Sequence, residues 1–273
     1  MSEWAVVLGA SSGTGAAIAA EVARRPGLDV FGVHRGRYAE QAEAVSREVT
    51  ATGRRMVLRA ADAATPEGAE AGADALLEVA GRRRVRLLVH ALASGSVGHF
   101  LDAPEGGGGE GEGFHPRQVQ KTFDVMAHSF VYWTQALARR DLLAPGARIL
   151  ALGNPLGDTL LHNTGLITAA KAALEIYVRH LAVELGPRGH RVNLLRFGTV
   201  LTPAVRHVYA QAALAQLEAE HARLIPAGRM CTVEEVARFV PLLLRDEADW
   251  FNGATIDFTG GMNLRLLDRV LNP

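Results

Sequence analysis

The apolar residues of this chain fall into short, near-continuous runs separated by longer mixed stretches. Trp4-Ala-Val-Val-Leu8 is the first run, and the alanine-rich Ala16–Arg25 after it reads as helix. Similar runs recur at Asp29–Val33, Arg55–Arg59, Val85–His90, Ala147–Leu152, His190–Leu195 and Ala254–Phe258. Helices are predicted over about 38–52, 66–80, 116–140, 163–186 and 233–245. Short runs that are apolar throughout suit strands covered on both faces. Their alternation with helices predicts a doubly wound α/β fold, with a parallel sheet of about seven strands and helices on both sides. Ligands of such sheets bind beyond the carboxyl ends of the strands.

Two stretches break the alternation. Pro104-Glu-Gly-Gly-Gly-Gly-Glu-Gly-Glu-Gly113 is too rich in glycine to hold one conformation cheaply, so a mobile lid or a disordered surface insertion both suit it. Thr202–Ala222 is a second helical stretch, rich in Ala, Gln and Leu. With no internal repeat and no linker, residues 1–273 read as one domain.

The turn between the first strand and the first helix carries the clearest chemistry. Gly9-Ala-Ser11-Ser12-Gly13-Thr14-Gly15 brings bare backbone N–H groups and the positive end of a helix dipole to one spot. A pyrophosphate binds such a turn. Gly9 allows the tight bend, Gly13 the approach of the ligand, and Gly15 the close packing of helix on strand.

Composition narrows the remaining classes. With 273 residues, 48% of them hydrophobic, the chain has ample material for a large core. A net charge of zero argues against a broad nucleic-acid or anionic-membrane surface. The single cysteine, Cys231, excludes an intramolecular disulfide framework and fits a cytoplasmic protein. It reads as a small semi-buried residue. The first strand begins almost at once, leaving no room for a signal peptide, and no apolar run is long enough to span a bilayer. The ten histidines are scattered without metal-ligand spacing, so no metal is expected. Ser11, Ser12, Ser94 and Ser96 lie in no Gly-x-Ser-x-Gly elbow and are not read as nucleophiles.

The spacing Gly-x-x-x-Gly-x-Gly, with the strand and helix around it, resembles that of the short-chain dehydrogenase/reductase family. The resemblance runs over nearly the whole chain and implies a single Rossmann-type domain. Asp62 matches the aspartate that bonds the adenine amino group in that family. His90-Ala91-Leu92-Ala93 stands where the family has Asn-Asn-Ala-Gly, beside the cofactor ribose. Thr202 matches the threonine that bonds the nicotinamide carboxamide, and Phe251–Met262 follows the family's C-terminal pattern. A helical flap near 199–226 would then cover the substrate. His34 and Arg35, with Arg37 beyond, follow the second strand, where the adenosine ribose is normally met. A guanidinium there is matched to a phosphate, so NADP(H) is expected rather than NAD(H).

Lys171, in Thr168-Ala-Ala-Lys-Ala-Ala-Leu-Glu175, matches the family lysine that bonds the nicotinamide ribose and lowers the pKa of a nearby tyrosine. That tyrosine usually stands four residues earlier, at a position held here by Ile167. The enoyl-acyl-carrier-protein reductases, a divergent subgroup, keep theirs seven residues before the lysine, and several segments resemble theirs. His90–Ala93 is similar to their His-Ser-Ile-Ala, and Asp124–Phe130 to their Asp-Ile-Ser-Ser-Tyr-Ser-Phe. Leu156-Gly157 and Asn163 align with their Leu-Gly and Asn-Tyr, and Pro226–Arg229 is similar to the segment closing their substrate loop. Thr164 occupies the tyrosine position, Met126 the usual active-site asparagine position, and Pro155 stands near their other tyrosine.

The resemblance therefore implies reduction of an enoyl or carbonyl group on a small molecule or acyl thioester, free or carried on an acyl carrier protein. Thr164, His162, His128, Tyr209 and water are alternative proton donors. Two other roles stay open: a dinucleotide-binding sensor or scaffold, and a non-redox reaction with the cofactor as a structural part. The family also implies a homotetramer built on the helices at 116–140 and 163–186.

Overall fold

The computed structural model describes residues 2–102, 112–155, 162–202, 205–206, 211–262 and 264. Seven strands form one parallel sheet: β1 (Glu3–Leu8), β2 (Leu28–His34), β3 (Met56–Ala60), β4 (Val85–His90), β5 (Leu143–Gly153), β6 (Arg191–Phe197) and β7 (Thr255–Phe258), in the order β3-β2-β1-β4-β5-β6-β7. The order reverses between β1 and β4, so their carboxyl ends open onto the crevice where doubly wound sheets take ligands.

Strand β1 shows why the apolar runs lack alternation. Trp4, Val6 and Leu8 face one core with Phe130, Trp133 and Leu174, while Ala5 and Val7 face the other with Ile18, Val22 and Val236. The first core is roofed by α3 (Pro66–Ala80), α5 (Ser129–Arg139) and α6 (Gly165–Leu185). Gly72 of α3 lets the Trp133 ring pack against bare backbone, and the indole N–H donates to the Ala63 carbonyl at 3.0 Å. The second core lies under α1 (Gly13–Val22), α2 (Ala39–Ala51) and α8 (Val233–Phe239); α4 (Pro116–Phe123) and α7 (Gln211–Leu224) are further helices.

Several boundaries depart from the sequence expectation. The run 116–140 is interrupted by a π-helical turn, Asp124–His128, between α4 and α5. The helix expected over 233–245 leaves α geometry after Phe239 and continues as a 3₁₀ turn, Val240–Leu244, because Pro241 lacks the N–H an α-helix needs there. Strand β5 begins at Leu143 rather than Ala147, with Pro145-Gly146 accommodated inside it and Gly146 at φ +70°. Asn163 does not start α6: it sits at φ +63°, and Thr164 is the N-cap. Of the flap, Gln211–Leu224 is helical, and part of 203–210 lies outside the described residues. The glycine-rich insertion also lies outside them, apart from Glu112 and Gly113. None of the described helices is long and apolar enough to cross a membrane.

Candidate functional site

The carboxyl ends of the strands gather the sequence-singled residues in sheet order. Gly9 and Ala10 donate to the Val33 carbonyl at the end of β2 (2.9 and 3.1 Å), Ala91 donates to Leu8 (3.0 Å), and Ala61 to His34 (2.9 Å). These bonds extend the ladder past the strands and set Gly9, His34, Asp62 and Ala91 along one rim. Gly9 adopts φ +88°, and a Cβ there would come within 2.9 Å of the Ala91 carbonyl oxygen. A Cβ on Gly15 would overlap the Gly9 carbonyl. Both glycines are therefore required by geometry, as the sequence predicts.

Ser12 caps α1 in an extended conformation without using its side chain, and no acidic residue stands in the first turn. Ser11 and Thr14 are buried beside it. This leaves the helix N-terminus open to an anion, and the cradle fits a dinucleotide pyrophosphate. His34 Nδ1 accepts from the Gly36 N–H at 3.2 Å, which shapes the turn carrying Arg35 and Arg37. Both arginines are exposed, and neither has an ion-pair partner among the described residues. Asp62 Oδ1 accepts from Ala64 N at 3.1 Å. Thr202 Oγ1 accepts from Val205 N at 3.3 Å and organises the chain leaving β6.

Lys171 is the most unusual charge in the molecule. Only 9% exposed, it reaches from α6 to the end of β5, where Nζ donates to the Leu152 carbonyl at 2.7 Å. Burial pushes its pKa down to about 8. His90, at the end of β4, is fully buried. The Ser129 hydroxyl donates to the Val125 carbonyl at 2.9 Å and lies 2.8 Å from His90 Nε2. Nε2 therefore carries the ring proton, and Nδ1 is left buried with no partner. Burial, reinforced by the Lys171 charge, holds the imidazole at about 3, so it stays neutral. The His90–Ser129 link ties β4 to the π-helical turn that carries Met126. The sequence gives no sign of it, because the partners lie 39 residues apart.

Ile167 lies one helical turn before Lys171 on α6. Met126 and Ile167 meet over Gly95, where an added Cβ would lie 2.9 Å from each of them and from the Thr122 methyl. Thr164 is 9% exposed and caps α6 without a side-chain capping bond. His162 is exposed and packs edge-on against His99, with centroids 5.2 Å apart. His128 lies on the outer side of α5, where its Nδ1 is 3.0 Å from the Tyr177 hydroxyl. Together with Tyr132, His180 and Glu184 it lines an open groove of about 390 Å³ between α5 and α6. That position accounts for His128 by packing. Tyr209, Leu156 and Gly157 lie outside the described residues. Cys231 is half-buried before the N-cap Thr232, and burial pushes its thiol up to about 11. No metal-ligand cluster exists among the described residues.

A parallel sheet of this order, with a glycine cradle at its reversal point and a buried lysine beside it, defines a dinucleotide-binding α/β oxidoreductase fold. The chain belongs to the short-chain dehydrogenase/reductase family: the family model described as "Enoyl-(Acyl carrier protein) reductase" matches residues 9–263. The 1-cyclohexenylcarbonyl-CoA reductase of Streptomyces collinus is 28% identical over 260 residues, covering 95% of this chain and 86% of that one. The 3-oxoacyl-[acyl-carrier-protein] reductase FabG of Escherichia coli (strain K12) is 28% identical over 268 residues, covering 94% and 96%. A short-chain dehydrogenase from Burkholderia cenocepacia J2315, solved in complex with NADP, superposes with a TM-score of 0.76 at 28% identity, covering 96% and 98%.

Proposed function

We propose that the protein is an NADP(H)-dependent reductase of the conjugated C=C bond of a 2-enoyl thioester. The observation that carries this reading is the buried Lys171 ammonium at the end of β5, kept at a cost in solvation beside an apolar floor of Met126 and Ile167. A charge so placed needs a function to offset its desolvation. The relatives include both an enoyl-type and a 3-oxoacyl-type reductase. The apolar pair favours the former, because carbonyl reduction needs a strong acid at the reacting oxygen and neither Met126 nor Ile167 supplies one.

The Gly9–Gly15 turn, with Ser11, Ser12 and Thr14, would hold the pyrophosphate. Asp62 would hold the adenine, Ala91, Leu92 and Ala93 would line the ribose, and Thr202 would take the carboxamide. Arg35, with His34 and Arg37 beside it, would take a 2′-phosphate, and the two unpaired guanidinium groups support NADP(H) over NAD(H). When bound, the dinucleotide supplies the hydride. Lys171 holds the nicotinamide ribose and adds positive charge. As negative charge grows on the thioester oxygen, Thr164 would donate a hydrogen bond there, and the enolate would take its proton at the α-carbon from solvent, completing the saturated product. Loss of a tyrosine donor costs on the order of a hundredfold in rate by analogy with other oxyanion donors, which leaves turnover measurable. We further propose a homotetramer in the cytoplasm, assembled on α5 and α6, whose outer groove presents Tyr132, Tyr177 and Leu181.

The test is NADPH consumption with a medium-chain trans-2-enoyl thioester, run beside a 3-oxoacyl thioester. Oxidation that depends on the enoyl substrate is the expected result. Oxidation with the 3-oxo substrate alone would replace this reading by carbonyl reduction. Binding of NADPH without oxidation of either would favour a dinucleotide-binding role without catalysis.

A further inference from the structure

The chain after β4 forms a small cap over the start of α6. Ser96 N donates to Thr122 Oγ1 at 3.1 Å, and Gly98 N donates to the Asn163 carbonyl at 2.9 Å. His99 pairs with Gly113, Phe114 N donates to the His99 carbonyl at 3.0 Å, and Gly113 N donates to Asp102 Oδ1 at 2.6 Å. Phe100 and Phe114 meet edge to face with centroids 5.5 Å apart. The Phe100 ring lies directly on the backbone of Gly165, so closely that a Cβ there would overlap it. Gly165 follows Thr164, and the cap therefore sits next to the proposed donor.

The cap is held by several bonds yet turns apolar groups outward. Val97, Phe100 and Leu101 are 57%, 62% and 80% exposed. A single exposed hydrophobe needs no explanation, but three within five residues on an anchored segment form a patch. No charged side chain occurs from Ser94 to Leu101. The same segment begins at Gly95, whose contacts with Met126 and Ile167 form the floor of the site. The segment thus runs from the Met126 and Ile167 side chains at Gly95 to the exposed Phe100 beside the start of α6.

We propose that Phe100, seated on Gly165, is the specificity-determining wall for the apolar acyl body of the substrate, selecting medium-length acyl groups over short ones. This inference rests on the thioester reading of the site. Each methylene packed against the ring contributes roughly fourfold in affinity.

The test compares trans-2-octenoyl-CoA with trans-2-butenoyl-CoA. Binding is followed by calorimetry in the presence of NADP+, which carries no hydride to transfer, and turnover is followed separately with NADPH. The expected result is tighter binding of the octenoyl thioester by the wild type. Phe100→Ala weakens octenoyl binding about tenfold or more and moves butenoyl binding less than about twofold. Phe100→Leu gives an intermediate effect. Gly165→Ala, which displaces the ring, reproduces the loss, and NADPH affinity is unchanged in all three. Phe100 is largely exposed, so its truncation leaves both cores intact. Equal weakening of both thioesters, no weakening of either, or failure of the wild type to bind either overturns the proposal. Length-selective binding that Phe100→Ala abolishes, without turnover, upholds the wall and overturns the reductase reading alone.

Discussion

Replacing Lys171 by Met should stabilise the cofactor-free protein while removing its activity. The fall of the lysine pKa from 10.5 to about 8 corresponds to roughly 3 kcal/mol acting against the buried ammonium. Methionine fills a similar volume and carries no charge. Its cost is the Leu152 carbonyl, which loses the Nζ donor and is left unsatisfied at about 1–2 kcal/mol. The net gain at pH 7 is about 1–2 kcal/mol, or about 2–4 °C in Tm for a chain of this size. The pH dependence has a definite sign. Between about 8 and 10.5 the unfolded lysine holds its proton while the folded one has released it, so wild-type stability rises with pH in that window. Below about 8 the whole penalty is present. The advantage of Lys171→Met should therefore be largest at or below pH 8 and shrink as pH climbs toward 10.5. Denaturant unfolding of both proteins at pH 7, 8, 9 and 10 measures this directly, since other titrating groups cancel in the difference. A variant less stable than wild type at pH 7, with a gap that does not change with pH, would refute the reasoning that this charge is held against its solvation.

Two further outcomes follow from the cofactor rim. Gly15→Ala forces helix α1 away from the Gly9 carbonyl, and it should cost about 1–3 kcal/mol of stability and weaken NADPH binding at least about tenfold in a fluorescence titration. Gly53→Ala, at φ +78° with open space around it, should cost about 1 kcal/mol and leave NADPH affinity unchanged; equal binding losses in the two variants would sink the cradle assignment. Arg35→Glu should lower the preference for NADPH over NADH by at least about tenfold, read as the ratio of dissociation constants, and an unchanged ratio would remove Arg35 from phosphate recognition.

The parts legible in the sequence are those set by local rules. Buried strands announce themselves as unbroken apolar runs, and the Gly9–Gly15 turn places its groups within a few residues, so chain order alone locates it. The Lys171 helix was readable for the same reason, though not the Leu152 carbonyl that the lysine meets. What stayed hidden depends on distant partners or on competing local signals. The start of β5, expected at Ala147, lies at Leu143, which pairs with Val85 of β4 across a register shift that takes up Pro145-Gly146. The π-helical turn at Asp124–His128 leaves no periodic trace, because one extra residue per turn is invisible in a helical pattern. The His90–Ser129 pair and the seat of Phe100 on Gly165 join segments 39 and 65 residues apart, and no spacing rule reaches that far.

The most direct measurement follows the hydride itself. NADPH carrying deuterium at its transferable C4 position is incubated with the protein and trans-2-octenoyl-CoA, and the acyl product is analysed by mass spectrometry and NMR. Conjugate reduction yields a saturated octanoyl thioester with one deuterium at the β-carbon. Recovery of the enoyl thioester without deuterium, while the same preparation places deuterium on the carbinol carbon formed from a 3-oxoacyl thioester, would contradict it.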